Sequence, residues 1–497
     1  MCLLLLAAPL AAQTSPALRN AAGTITEADV ARRINVIADD SMMGRQTPSR
    51  GLELTAHYVA DEFKRFGLRP GGDSGSYIQR YPLTTYRIDV ANSAALFRSP
   101  EIEVPVSFSR DAVVLFGNAP AAPITGGLTL IGGVIDPDSL PADLLKDRIV
   151  VWPLDFSRPI PAWANSVLGR VFASGAKLLV VVSNRDSAAF NAQLADQARP
   201  KVAFGEVKAG GPLVVEIRES AVTALVPDAI EQFTRMRAAP ATVIQPVPDW
   251  EGDLAIRQEV VGVTMVPNTV GILEGTDPVL KNEYVVFSAH MDHIGITSGK
   301  PDSINNGADD DGSGTVGVIE LAEAFSRPGA RPRRSVLFLT VSGEEHGLWG
   351  SAWFADHPAV PIESIVADLN IDMIGHNWKD TVVAIGMQHS DLGTTLTSVA
   401  TQHPELGMTA VDDMWPEENL YFRSDHYNFA KKGVPILFFT SGLHEDYHKP
   451  SDEPQKLDAE KEARLLRLLF YLGQEVAGSP ARPQWKPESY KKIVEGA

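Results

Sequence analysis

Three consecutive aspartates, Asp309, Asp310 and Asp311, stand in the glycine-rich stretch Asn306-Gly-Ala-Asp-Asp-Asp-Gly-Ser-Gly314, directly before a run of helical pattern. Like charges this close repel, and a bound cation relieves the repulsion. Such a loop alone is equally a solvated turn, a helix cap or a calcium loop. The calcium reading weakens because an EF-hand needs oxygen ligands at alternate positions, whereas these aspartates are adjacent. Upstream lies His290, and downstream follow the pair Glu344-Glu345, Asp372 and two histidines, His444 and His448. Imidazole and carboxylate together are the ligand set suited to zinc. His290, one aspartate of the loop, Glu345, Asp372 and a C-terminal histidine make five ligands, enough for two ions if one carboxylate bridges them. Two zinc ions about 3.5–4 Å apart polarise a carbonyl and lower the pKa of a shared water, the logic of two-metal hydrolysis. Of the adjacent glutamates one then ligates, and the other faces the water as a base untied to metal.

His444-Glu-Asp-Tyr-His448 also matches H-E-x-x-H, the helical motif of single-zinc proteases. A β-like run and Ser441-Gly442 precede it and Pro450 follows, so no amphipathic helix is expected to carry it. The single-zinc reading therefore ranks second among the enzymatic ones.

Four β-like runs deliver these residues. Val285–Ala289 leads into His290, Val336–Val341 to Glu344 and Glu345, Val366–Ile371 to Asp372, and Val434–Thr440 to the His444–His448 loop. Open α/β sheets place their sites beyond the carboxyl ends of strands. The alternation of β-like and helical runs after about Val260 predicts a mixed, mostly parallel sheet covered by helices. Helical spacing also marks Thr26 to about Leu68, through Val30, Ile34, Ile37, Val59 and Phe63. Between 111 and 255 short β-rich runs separated by Gly and Pro turns predict a smaller α+β unit inserted in the chain. The expected organisation is a signal-like segment at 1–12, peptidase-domain parts at 26–110 and 256–478, the insertion at 111–255, and a tail at 479–497, either a strap or a loose end.

The segments Ser288-Ala-His-Met-Asp-His-Ile-Gly295, Asn306–Gly314, Ser342-Gly-Glu-Glu-His-Gly347, Asn370-Ile-Asp-Met-Ile-Gly375, Ser424-Asp-His-Tyr-Asn-Phe429 and Tyr447-His-Lys-Pro-Ser-Asp452 resemble, in order, the co-catalytic zinc aminopeptidases of the leucyl and aminopeptidase S type, peptidase family M28. The resemblance implies two Zn2+ ions, with His290 and Asp372 on one, Glu345 and His448 on the other and Asp310 bridging. It implies Glu344 as general base, Tyr447 steadying the oxyanion, and a cis peptide from Asp310 to Asp311. Asp292 is expected to orient His290, and Asp452 to do the same for His448; His346 receives no role. The middle unit, with Lys146-Asp-Arg-Ile-Val-Val and Gly175-Ala-Lys-Leu-Leu-Val-Val-Val, resembles a protease-associated domain, read equally as a substrate filter or a passive spacer. The expected activity is release of amino-terminal residues from peptides. The alternatives are a carboxypeptidase or dipeptidase of the same fold, or an inactive binding protein, against which all five ligands and Glu344 stand. Met414, Trp415, Tyr421 and Phe422 are candidates for an apolar specificity pocket or for plain packing.

A chain of 497 residues exceeds what one core fills. Its formal charge of −18 argues against nucleic acid or an anionic membrane as partner. Met1–Ala12 is apolar and followed by Gln13-Thr-Ser, which resembles an export signal too short to span a membrane, so a periplasmic or extracellular enzyme is expected. Cys2 is the single cysteine; once the signal is removed, thiolate nucleophiles, disulfides and cysteine zinc sites are excluded.

Overall fold

The apolar spacing of the amino-terminal region builds two helices, α1 (Glu27–Ile37) and α2 (Arg50–Arg65), with Thr26 and Ser49 capping them through hydrogen bonds from Asp29 N and Leu52 N. The computed structural model describes residues 14–160, 163–226, 228–299 and 301–496; the signal-like run Met1–Ala12 lies outside them. Two compact units are present, one formed by the chain up to Tyr81 and again from Met265, the other by Pro82–Thr264.

In the first unit the sheet includes β1 (Gln258–Leu273, paired here through Thr269–Leu273), β2 (Tyr284–His290), β3 (Ser335–Val341), β4 (Ile365–Ile371), β5 (Thr381–Ile385), β6 (Thr409–Val411) and β7 (Ile436–Thr440). Their order is β6-β5-β7-β4-β2-β3-β1. Strands β7, β4, β2 and β3 run parallel, while β1 and β5 pair antiparallel at either side. Side chains alternate across it as the pleat requires. Val285, Phe287 and Ala289 join one apolar cluster with helices α3 (Gly314–Phe325) and α4 (Ala459–Gly478), while Val286, Leu337 and Leu339 join another with Phe354 and Phe429. The sheet is thus covered on both faces, as expected. The tail is a strap: Trp485 Nε1 donates to Gly433 O at 2.8 Å, and Ile493, from the short helix Pro487–Ile493, is buried.

The second unit has its own sheet, whose parallel centre is Ile124–Gly132, Ile149–Leu154, Leu178–Ser183 and Val214–Arg218, with an apolar cluster on each face. It begins earlier than the expected residue 111 and ends later than 255. Ala94–Arg98 and Glu103–Ser107 form a hairpin that pairs through Ala94–Arg98 with the strand Val243–Ala255 and leaves Glu103–Ser107 at the sheet edge, and each buries only alternate residues, so neither reads as an apolar run. Among the described residues no helix is long and apolar enough to cross a membrane.

Candidate metal centre

The three aspartates have different duties. Asp311 accepts from His290 N at 3.1 Å, Gly314 N at 2.8 Å and Met373 N at 3.2 Å, tying the ends of β2 and β4 to the start of α3. Asp309 accepts from Gly375 N at 2.6 Å. Asp310 alone faces ring nitrogens on two sides: its Oδ1 lies 3.3 Å from His290 Nε2, and its Oδ2 3.2 Å from His448 Nε2. The Asp310–Asp311 peptide is cis.

Buried Arg45 fixes this loop from beneath. Its guanidinium donates to Met291 O at 2.9 Å, Ile37 O at 3.0 Å, Asn306 O at 2.6 Å and Gly307 O at 2.7 Å. The expected partner of His448, Asp452, acts elsewhere. It accepts the backbone N–H groups of Asp309, at 3.0 Å, and Asp310, at 3.1 Å, so it holds the loop and does not touch the imidazole. Burial, then the adjacent Asp309, push its carboxyl up to about 6. Asp292 orients His290 through its main-chain carbonyl, 3.2 Å from Nδ1, with Oδ1 at 3.6 Å, and its carboxylate accepts from Thr47 Oγ1, Gly343 N and Glu344 N. Ser424 Oγ donates to Asp372 Oδ2 at 2.8 Å.

All seven residues anticipated for the site come together around one cavity or its rim. His290, Asp310, Glu344, Glu345, Asp372 and Tyr447 line the cavity. His290 Nε2 lies 3.5 Å from Asp372 Oδ1, and His448 Nε2 lies 3.1 Å from Glu345 Oε2. Among the described residues there are three groups of mutually adjacent ligand atoms: His290 with Glu344 and Asp372, His293 with Asp310 and Glu345, and Asp309 with His376 and His444; the first two include residues that line the cavity. His293 was missed: the sequence gives it only as part of His290-Met-Asp-His293, and nothing in that spacing says which way its ring turns.

The electrostatics are those of a cation site. Burial opposes ionisation of His448, but Asp310 and Glu345 outweigh it and push the imidazole up to about 10. Burial, reinforced by Asp425, Asp372 and Glu345, pushes the Glu344 carboxyl well above its usual range, although His290 pulls it down. Burial and the surrounding carboxylates raise the Tyr447 hydroxyl, which keeps its proton and can donate. Asp310 Oδ2, Glu345 Oε1 and both His293 ring nitrogens are buried without hydrogen-bond partners. Converging, unpartnered nitrogen and carboxylate oxygen atoms fit zinc.

The remaining candidates fall away from the centre. Residues 445–448 form a turn, as the flanking signals predict, and the two histidines meet different carboxylates, His444 that of Asp309 and His448 those of Asp310 and Glu345. His444 stacks on His376 at 3.8 Å and lies 3.2 Å from Asp309 Oδ2, so the pair cannot act as a helical single-zinc motif. His346 stacks on Trp349. Of the expected specificity residues, Tyr421 is buried, and Trp415 packs over Gly442, where a Cβ would sit 2.3 Å from the indole. Met414 and Phe422 are exposed and do not line the cavity. Leu420 and Arg423 of the same loop do, with Met373, Phe438 and Leu443.

Residues 268–472 match the model of Peptidase family M28. The chain is 30% identical over 190 residues to leupeptin-inactivating enzyme 1 of Streptomyces exfoliatus, covering 38% of each chain. It is 29% identical over 209 residues to a probable leucine aminopeptidase of Arthroderma otae, covering 40% of this chain and 56% of that one. The matches thus span less than two thirds of these curated relatives. Among solved structures, the aminopeptidase from Aneurinibacillus sp. strain AM-1 superposes with a TM-score of 0.52 at 17% identity, covering 95% of this chain and 98% of that one, which shows a shared fold.

Proposed function

We propose that this chain is a zinc-dependent aminopeptidase of the M28 type that releases amino-terminal residues from peptides. The observation that carries the reading is Asp310, whose two oxygens face His290 on one side and His448 on the other, as a carboxylate bridging two ions must. His290 and Asp372 would hold one Zn2+, Glu345 and His448 the other. Zinc bound there supplies a Lewis acid for the peptide carbonyl and acidifies water. Glu344, a cavity residue grouped with His290 and Asp372, takes the proton from the attacking water and returns it to the leaving amine. Tyr447, still protonated, donates to the carbonyl oxygen as it gains charge. The cavity is lined by Asp310, Glu344, Glu345 and Asp372, acidic groups that suit a protonated α-amine, while Asp425 is buried and accepts from Ser351 Oγ.

A carboxypeptidase or dipeptidase is the second reading. Arg423 favours it, because this cation lines the cavity and its pairing with Glu418 is long, 3.5 Å. The carboxylates outnumber it. We read unit 82–264 as a protease-associated insertion, equally a substrate filter or a passive spacer, supported by its place within the sequence of the site-bearing unit, and the enzyme as exported, supported by the apolar run Met1–Ala12.

The test is elemental analysis together with hydrolysis of aminoacyl arylamides and unblocked dipeptides. Two zinc ions per chain and turnover abolished by a chelator are expected. One metal or none in active enzyme, or turnover indifferent to chelation, contradicts the reading.

A further inference from the structure

His293 belongs to the centre yet has no place in the five-ligand set. Its side chain is fully buried, and neither ring nitrogen has a hydrogen-bond partner. A buried polar atom left unmade costs about 1–3 kcal/mol, so a ring with two such atoms calls for an explanation. Its Nδ1 lies 2.8 Å from Glu345 Oε1 and 3.6 Å from Asp310 Oδ2. Those two oxygens are also without hydrogen-bond partners, so three unpartnered ligand atoms face one another within 4.8 Å. Ligands bound at about 2.0–2.2 Å around one tetrahedral zinc stand roughly 3.3–3.6 Å apart, and the separations here bracket that spacing.

His448 approaches the same carboxylates from another direction. Its Nε2 is 3.2 Å from Asp310 Oδ2 and 3.1 Å from Glu345 Oε2, and its ring meets that of His293 edge-on, at 72° with centroids 5.7 Å apart. Glu345 is therefore flanked by one imidazole at each oxygen. The backbone is shaped to admit the second ring. Gly307 has φ of +56°, and a Cβ there would sit 2.5 Å from His293 Cγ and 2.6 Å from Cδ2, so any other residue would collide with the imidazole.

A plain imidazolium neutralising Asp310 and Glu345 explains the observations less well. A charged ring needs two acceptors, and Nε2 has none. A neutral ring ligating through Nδ1 leaves a single uncharged donor unmade.

Resting on the two-ion reading above, we propose that His293 is a direct ligand of the second metal, so that the chain holds the two ions unequally. The second receives His293, Asp310, Glu345 and His448; the first receives His290, Asp310 and Asp372. Four protein ligands are the complement of a closed zinc site, and three leave a position open. The first position, beside Glu344, is then the one that an incoming amine or carbonyl reaches.

The experiment uses the full chain, stripped of metal and titrated with Zn2+ against a chromophoric chelator, alongside His293→Ala and His293→Asn. Wild type should bind two ions, and both variants should lose at least tenfold in affinity for one while the other is unchanged. Circular dichroism and melting in chelator establish that each variant is folded. X-ray absorption at the zinc edge of the wild type needs no variant: it should count three imidazoles over two ions. Two imidazoles, or equal affinities in folded variants, overturn the proposal while leaving the two-ion reading intact. A wild type that binds fewer than two ions overturns the reading itself.

Discussion

The adjacent glutamates Glu344 and Glu345, identical in chemistry, meet different partners because each side chain leaves the turn after β3 in its own direction. Glu345 meets His448 at 3.1 Å and His293 at 2.8 Å, whereas Glu344 is grouped with His290 and Asp372. Glu344→Gln should keep both metals and lose about 10²–10⁴-fold in kcat, the usual worth of a general base. Glu345→Gln should instead lose metal. Metal content and turnover of the two proteins check this, and the reverse pattern exchanges the roles. A neighbouring carboxyl contributes through pH. Asp368 is wholly buried, hydrogen-bonded by Ser288 Oγ at 2.7 Å, and burial, with Asp425 nearby, pushes it up to about 8. From about pH 4, where the unfolded carboxyl ionises, up to about 8, the folded chain holds a proton that the unfolded chain has released. Stability must therefore fall as pH rises through that window and level off above it. Asp368→Asn removes this loss, on the order of a few kcal/mol. Melting at pH 5 and pH 9 should show the advantage of the variant growing with pH; an equal difference at both pH values contradicts it.

The strand ends that carry the site were legible in the sequence because buried parallel strands read as continuous apolar runs. Each of β2, β3, β4 and β7 stops within a few residues of a ligand. The resemblance points to Asp310, and the structure adds a physical account: Asp311 and one oxygen of Asp309 accept backbone N–H groups, and the other oxygen of Asp309 faces His444 and not His290 or His448. Side-chain direction within loops was not legible, which is why His293 was passed over and why Asp452 was paired with His448. Arg45 was invisible too, since a lone arginine after a helix reads as a solvated charge. Yet it spans four carbonyls from α1, the end of β2 and the aspartate loop. Lysine cannot reproduce a planar fork with separated donors. Arg45→Lys should therefore cost about 2–5 kcal/mol and weaken zinc binding, read from urea unfolding and chelator competition. A variant with wild-type stability would mean that the loop holds itself.

Across the whole molecule, the chain divides into a unit that carries every residue assigned to the centre and a second unit with its own sheet and cores. The existence of the second unit was legible from its short β runs; its limits were not, because the hairpin of Ala94–Arg98 and Glu103–Ser107 buries too few residues to stand out. The acidic balance, −18, agrees with the proposed preference for a cationic end of the substrate. Direction of attack is thus the claim that joins charge, cavity and metal ligands. It is tested by giving the zinc-loaded full chain one short peptide in three forms: with both ends free, with the amino end acetylated, and with the carboxyl end amidated. Release of the first residue from the free and amidated forms, with the acetylated form intact and all cleavage stopped by a chelator, is the predicted result. Cleavage that survives acetylation and stops on amidation would contradict it.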